Sequence, residues 1–435
     1  MEPFHLNRRG LLLAGVAFAL PIPSFAADRP APEEVVLTWY RLILELIRHT
    51  ATYSPPVASR AFAYLGVALW EAVAQSRGLT SLAGQVNGLT ALPLAPDAMD
   101  EAALVHATLA AGTAALFGNT GPTGQRAMSA MTEKMGAKVT DGVDPALAAT
   151  SIDHGAAIVA HILAWAETDG GAKVENLGFP MEYTLGGTPA SWVPTNTADL
   201  QQAPLLPDWG NNRPFTLTGD LPCGLEPHPE YSEDPTSAFY AEAMEVYETT
   251  KALTDEQKII ARFWSDDPML SPTPPGHWAS IVIEIAARDA LPLDRLADAL
   301  VRLGMAVADA FIVCWRVKYE YDLLRPVTYI RRLIDPKWET LLITPPFPEY
   351  PSGHSSQSGA AYAALEAVFG PDFAFDDATH EDDGLPVRHF PSFKAAAEEA
   401  AISRLYGGIH FRAAIDNGIR QGECVAAFVN AMKTL

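Results

Sequence analysis

Three short clusters in the C-terminal third carry residue types that suit an oxyanion. The first is Lys318-Tyr-Glu-Tyr-Asp-Leu-Leu-Arg325-Pro326. Its two cations are seven residues apart, so on a continuous helix they share nearly one face, with Trp315 one turn earlier. Cations held side by side repel unless an anion lies between them. Taken alone, the pair also fits a solvated basic face near a helix C-terminus. The second cluster is Pro345-Pro346-Phe347-Pro348-Glu349-Tyr350-Pro351-Ser352-Gly353-His354. Ser352 offers a hydroxyl and Gly353 an N–H, and glycine lets backbone approach a bound group closely. A helix starting here would aim further N–H groups at an anion. His354 titrates near neutrality and can act as acid or base. Taken alone, this is also a Pro-rich connector with a capping serine. The third cluster is Ser403-Arg404-Leu-Tyr-Gly-Gly-Ile-His410. Gly407-Gly408 should break the helix, so that Arg404 and His410 turn into one pocket. Taken alone, His410 also fits a satisfied core histidine.

Helices must position these groups. Apolar periodicity of the 3.6 type runs through 35–47, 57–73, 100–117, 123–138, 146–168, 236–250 and 255–265. It continues through 278–288, 293–322, 356–369, 392–406 and 414–432. Pro55-Pro56 opens the second stretch, where a missing N–H costs nothing. Period-2 alternation is scarce, so the fold class is all-α, with helices packed in bundles. Residues 170–233 break the pattern with Gly, Pro, Asn and Trp. A segment of that length without periodicity is usually functional. Trp192, Trp209, Pro214 and Phe215 suit it to a packed cover.

The 435 residues hold enough apolar material for a large core, and the net charge is -22. Such acidity argues against nucleic-acid and anionic-lipid partners. Any anion site must therefore concentrate its cations locally. Residues 1–26 read as a cleaved export signal, with a twin-arginine pair, Arg8-Arg9, and a short apolar run. The mature chain, 27–435, is then expected in the periplasm or secreted. No later run reaches the roughly 18 uninterrupted apolar residues of a membrane span. Cys223, Cys314 and Cys424 are compatible with one bridge or with three buried thiols. The sequence contains no H-E-x-x-H and no local Cys/His cluster, which argues against a metal hydrolase.

In this order the three clusters resemble the signature shared by type 2 phosphatidic acid phosphatases, class A acid phosphatases and vanadium-dependent haloperoxidases. The resemblance implies a large domain of two packed helix bundles, with residues 260–435 as its oxyanion half. Within that superfamily, Trp315 and Phe347 match apolar positions beside the cofactor in fungal-type vanadium chloroperoxidases. The segment Phe263-Trp264-Ser265-Asp266-Asp267, followed by Thr273-Pro274-Pro275, resembles another haloperoxidase motif, in which Asp267 would pair with Arg404. The phosphatase pattern places Asp four residues after its nucleophilic histidine. Here that position is Ala414, and Asp416 is out of helical register. Trp209-Gly-Asn-Asn-Arg213-Pro214-Phe215 is similar to bacterial haloperoxidase-like proteins.

The resemblance implies one vanadate per chain, with phosphate able to occupy the site in its absence. His410 would bond vanadium, while Lys318, Arg325, Arg404, Ser352 and Gly353 hold its oxygens. His354 would take a proton from hydrogen peroxide, and Lys318 would polarise the bound peroxide. Halide would leave as hypohalous acid, with a small organic acceptor as a further partner. Two other readings follow from the same residues. One is a phosphomonoesterase with His410 as nucleophile and His354 as leaving-group acid. The other is a non-catalytic oxyanion binder, which the acid/base group His354 disfavours.

Overall fold

The computed structural model describes residues 29–172, 183–195, 203–219 and 222–435. The expected signal segment 1–26 lies outside them, as do parts of 170–233. Thirteen α-helices account for most of the described residues. Five come first: α1 (Pro32–Arg48), α2 (Pro55–Arg77), α3 (Glu101–Leu116), α4 (Pro122–Thr140) and α5 (Pro145–Ala166). Further along the chain come α6 (Ala238–Lys251), α7 (Asp255–Phe263), α8 (Thr273–Asp289) and α9 (Leu293–Tyr321). The rest are α10 (Pro326–Leu333), α11 (Gly353–Phe369), α12 (Phe393–Tyr406) and α13 (Arg412–Asn430). A short antiparallel pair, β1 (Phe375–Asp377) and β2 (Arg388–Phe390), joins α11 to α12 with Phe375 opposite Phe390.

The all-α expectation holds, and most helix bounds fall within a few residues of those read from periodicity. Three local features differ. The hairpin and α10 carry too few residues to show a period. More important, Lys318 and Arg325 do not share a helix. Asp322 adopts a left-handed conformation (φ 48°) and ends α9. Arg325 is extended (φ -82°, ψ 154°) and precedes α10. Pro326 explains this, because its ring clashes with a helical conformation in the residue before it.

Two helix crossings build the frame. At the first, α11 packs on α13 so closely that a Cβ on Gly359 would lie 2.5 Å from the Ile419 carbonyl oxygen. Gly418 and Gly422 face the α11 backbone in the same way. At the second, α2 crosses α9, where Gly304 lies against the Ala63 backbone and Gly66 against Val301. α2 and α5 are long and apolar enough to cross a membrane. The apolar stretch of α2 is wholly buried within the protein, so its hydrophobicity serves the core. The main core runs through α1, α2, α8, α9 and α11. A second core gathers α6, α10 and α12 around the start of α13. α9 belongs to both, through Trp315 in the first and Val317 in the second. Lys318, fully buried, follows at this seam.

The same helix holds the irregular segment down. Asp309 accepts the Phe215 N–H (2.6 Å), the Thr216 N–H (2.9 Å) and the Thr216 hydroxyl (2.8 Å). Trp315 Nε1 and the Tyr319 hydroxyl both donate to the Leu205 carbonyl. Trp192, Trp209 and Phe215 are buried. Of the two cysteine readings, the structure has the bridge: Cys223 is bonded to Cys424, and Cys314 is a buried thiol.

Candidate active site

The three motifs converge on one cavity of about 350 Å³. Gly353, His354, Arg404 and His410 line it directly, together with Trp315, Phe347 and Asp267. Arg325, Lys318 and Ser352 lie just behind that wall, and all three are fully buried.

His410 enters from the turn after α12, where Gly408 takes φ 77° and ends the helix as the Gly-Gly pair predicts. Its Nδ1 lies 2.8 Å from Glu349 Oε1, and the same oxygen accepts the Phe411 N–H at 2.8 Å. Its Nε2 lies 3.1 Å from Arg325 Nη1. A guanidinium only donates, so this contact places the lone pair on Nε2 and the proton on Nδ1. Burial, reinforced by Arg325, Lys318 and Arg404, holds the His410 imidazole well below its ordinary value and keeps it neutral. A neutral ring with its lone pair facing the cavity is the form that ligates a metal or attacks phosphorus.

Glu349 was not singled out in the sequence. The expectation drawn from Ala414 was that no carboxylate backs His410, and the structure corrects it. The carboxylate comes from the Pro-rich loop before α11. Ala414 is buried, and its carbonyl accepts the Ser352 N–H at 3.0 Å. Burial pushes the Glu349 carboxyl up to about 8, against the pull of Arg325 and Lys318. The available signal was an acid inside a Pro-rich apolar run, where a charge needs a partner.

Arg325 is fixed by the Phe347 carbonyl through Nε (2.9 Å) and by the Ile409 carbonyl through Nη1 (2.9 Å). Arg404 Nη1 donates to the Trp264 carbonyl at 2.7 Å. Asp267 acts on Arg404 through its charge, but no ion pair among the described residues joins the two, contrary to the pairing expected. Lys318 also differs from expectation. Its ammonium donates to the carbonyls of Pro348 (2.9 Å), Glu349 (3.0 Å) and Pro351. All three of its donors are engaged by the loop, so reaching an oxyanion requires giving up one carbonyl. Burial lowers Lys318 to about 7, with Arg325 acting in the same direction.

Ser352 caps α11, accepting the Ser355 N–H while its own proton stays free to donate. A Cβ on Gly353 would meet nothing closer than 3.5 Å. Packing therefore does not demand glycine there, whereas a group bound against the backbone would. Arg325 Nη2, Arg404 Nε and His354 Nε2 are buried and have no hydrogen-bond partner. Buried polar atoms of this kind, two guanidinium donors and an imidazole nitrogen, are costly unless something pairs with them. These atoms, with the Nε2 lone pair of His410, match the needs of a tetrahedral oxyanion with a nitrogen ligand. Burial and then Arg404 hold His354 well below its ordinary value, so it is ready to accept a proton.

One cluster beside the cavity escaped the sequence reading because its members are far apart in the chain. His277, at the start of α8, lies between Asp266 (3.0 Å) and Asp377 of β1 (2.8 Å). His380 lies 3.2 Å from Asp266 and 2.9 Å from Asp383. Asp266, His277 and His380 have the spacing of metal ligands. In this structure each also has an internal partner. Trp264 stacks on His277 at 4.4 Å, so the cluster braces the turn that carries the Arg404 acceptor.

Fold and site together define a helical-bundle protein with a buried, cation-lined cavity that would suit a tetrahedral oxyanion, with His410 placed where it could ligate one. The family described as VCPO second helical-bundle domain matches residues 298–337 and 332–434. A solved structure titled as the first bacterial vanadium-dependent iodoperoxidase is 38% identical, with a TM-score of 0.84, covering 93% of this chain and 97% of that one. The chain belongs to the vanadium-dependent haloperoxidase family. Vanadium chloroperoxidase of Curvularia inaequalis is 28% identical over 211 residues, which span 34% of this chain and only 35% of that protein. A holo bacterial vanadium-dependent chloroperoxidase, 15% identical with a TM-score of 0.68, covers 93% of this chain and 96% of its own and shares the fold.

Proposed function

We propose that this protein oxidises halide with hydrogen peroxide to hypohalous acid, with one vanadate per chain. The carrying observation is one cavity lined by Arg404, His354 and His410, in which the buried donors Arg325 Nη2 and Arg404 Nε and the buried His354 Nε2 have no hydrogen-bond partner, while Arg325 Nη1 lies 3.1 Å from His410 Nε2. Vanadate, when bound, supplies a Lewis acid that activates peroxide without changing oxidation state. Arg325, Arg404, the Ser352 hydroxyl and the Gly353 N–H would hold its oxygens, and His410 Nε2 would ligate the metal. Lys318 keeps the Pro348–Pro351 loop in place and adds positive charge behind it. His354 takes a proton from incoming peroxide. Trp315 and Phe347, whose rings lie 4.9 Å apart, exclude water from the halide. Phosphate, of the same geometry, is the expected occupant when vanadate is lacking.

The Glu349–His410 pair favours a second reading. A carboxylate-backed histidine is also the device of a phosphomonoesterase, so hydrolysis stays chemically available to the vanadate-free protein. Purified protein, with and without orthovanadate, should be assayed side by side for triiodide formation from iodide and peroxide and for aryl phosphate hydrolysis. Iodide and bromide should be oxidised more readily than chloride. Efficient hydrolysis that vanadate only inhibits, with no halide oxidation, would select the phosphatase.

The reading extends to location. The Arg8-Arg9 segment supports export with cleavage after Ala26, and the Cys223–Cys424 bridge suits an oxidising compartment. Residues 170–233 then act as the cover of a single mature domain, 27–435. N-terminal sequencing of protein from the extracytoplasmic fraction tests this, and an intact Met1 there would refute it.

A further inference from the structure

The cavity is larger and more apolar than halide oxidation requires. Peroxide and a halide ion need a few water-sized spaces, whereas about 350 Å³ lies within the range of sites for organic ligands. Away from His354 and His410 its wall turns to hydrocarbon, with Leu205, Leu270, Ile343 and Pro346 among its members. Its mouth is unusual for a protein surface. Leu270 is 66% exposed and Ile343 58% exposed, and Met269, next in the chain, is 50% exposed. Three of the seven exposed large hydrophobic side chains among the described residues thus gather at one opening. Apolar side chains kept in water at a pocket rim mark a binding surface more often than chance exposure. The turn that presents Met269 and Leu270 has left-handed residues at Asp266, Met269 and Thr273. The wall is not wholly apolar, for Ser265, Asp266 and Asp267 line it too. Ser54 lines the cavity with a hydroxyl that has no hydrogen-bond partner and does not cap α2.

We propose that this pocket binds the organic acceptor itself, an apolar phenol whose hydroxyl pairs with Ser54 Oγ and whose ring lies against Leu270 and Ile343. The proposal rests on the haloperoxidase reading. Hypohalous acid formed at the inner end then meets a bound ring before it escapes. Its O–X bond breaks, a ring C–X bond forms, and the displaced ring proton leaves with the hydroxide as water. The ring carbon is oxidised and the halogen reduced, so no further oxidant is needed.

The test uses vanadate-loaded protein and 2-naphthol, with a naphthol sulfonate as its polar counterpart. Equilibrium dialysis without peroxide should show saturable 2-naphthol binding. Leu270→Asp and Ile343→Asp, both at exposed positions, should weaken it about tenfold, the scale of a lost hydrophobic contact. Ser54→Ala should weaken 2-naphthol binding and leave naphthalene binding unchanged. Triiodide formation by all three variants should stay within about twofold of wild type, since none touches the inner wall. In competition, the protein should iodinate 2-naphthol over the sulfonate in a ratio at least about tenfold above that of reagent hypoiodous acid. Absence of saturable binding, or a competition ratio equal to the reagent's, overturns the proposal. A protein that binds 2-naphthol but oxidises no halide would instead refute the haloperoxidase reading.

Discussion

His410 depends on what grips each of its nitrogens. Glu349 fixes Nδ1–H, which leaves the lone pair on Nε2 and makes that nitrogen more basic. Glu349→Gln keeps an acceptor but removes the ionisable carboxyl. Vanadate affinity should then fall by about 10–100-fold, the usual cost of losing a partner behind a metal ligand. Equilibrium dialysis with orthovanadate measures this, and unchanged affinity would show that a neutral acceptor suffices. His410→Ala should abolish stable vanadate binding in the same assay, because it removes the nitrogen assigned to the metal. His354 has a different task. Its Nε2 is buried and unpartnered, while Arg325, Arg404, Ser352 and Gly353 remain to hold an oxyanion without it. His354→Ala should therefore retain vanadate and lose turnover by about 10²–10⁴-fold, the range for a general acid or base. Affinity and turnover falling in proportion would make His354 chiefly a binding residue.

At the scale of elements, α9 does two jobs. Its Asp309, Trp315 and Tyr319 hold the irregular segment, and Lys318 holds the loop that carries Glu349 and Ser352. Much of this was legible in the sequence. Long helices announce themselves by period, and the three motifs name their residues by type and order. The rest was hidden for particular reasons. Lys318 and Arg325 looked like one helical face because spacing carries no record of the bend that Pro326 imposes. Glu349 reaches His410 across 61 positions, and Asp266, His277 and Asp377 meet from three elements, so no local pattern marks either group. The Asp266–His277–Asp377 cluster makes a prediction of its own. Burial pulls His277 down, but the two carboxylates outweigh it and raise the imidazole to about 10 from 6.5. His380 and Glu284 also face the cluster. A raised folded-state pKa stabilises the protein fully below the unfolded value, and the benefit fades as pH climbs through the folded one. Wild-type Tm should therefore exceed that of His277→Gln near neutrality, and the gap should narrow as pH rises towards about 10. A gap that stays constant or widens over that window would mean His277 is neutral in the folded protein.

The whole molecule carries a charge of -22, yet the proposed reaction consumes an anion at the inner end of a cavity whose wall includes Asp266 and Asp267. Two fields compete for that anion. Lys318, Arg325 and Arg404 attract it at short range, but all three are buried and a bound oxyanion would offset them. The acidic surface repels it at long range. Salt separates the two contributions, because the screening length falls from about 30 Å at 0.01 M to about 8 Å at physiological ionic strength. Contacts inside the cavity are shorter than either length, whereas repulsion from the whole surface is not. Raising ionic strength with an inert salt such as sodium nitrate should therefore speed the encounter with iodide. We expect kcat/KM for iodide to rise at least about twofold between those two ionic strengths, the direction for like charges. Hydrogen peroxide is neutral, so its own kcat/KM at saturating iodide should not follow. That contrast separates electrostatic repulsion from a general effect of salt on folding or vanadate binding, which would move both constants together. If kcat/KM for iodide fell as salt rose, the local cations would dominate out to the mouth, and the acidic surface would play no part in substrate entry.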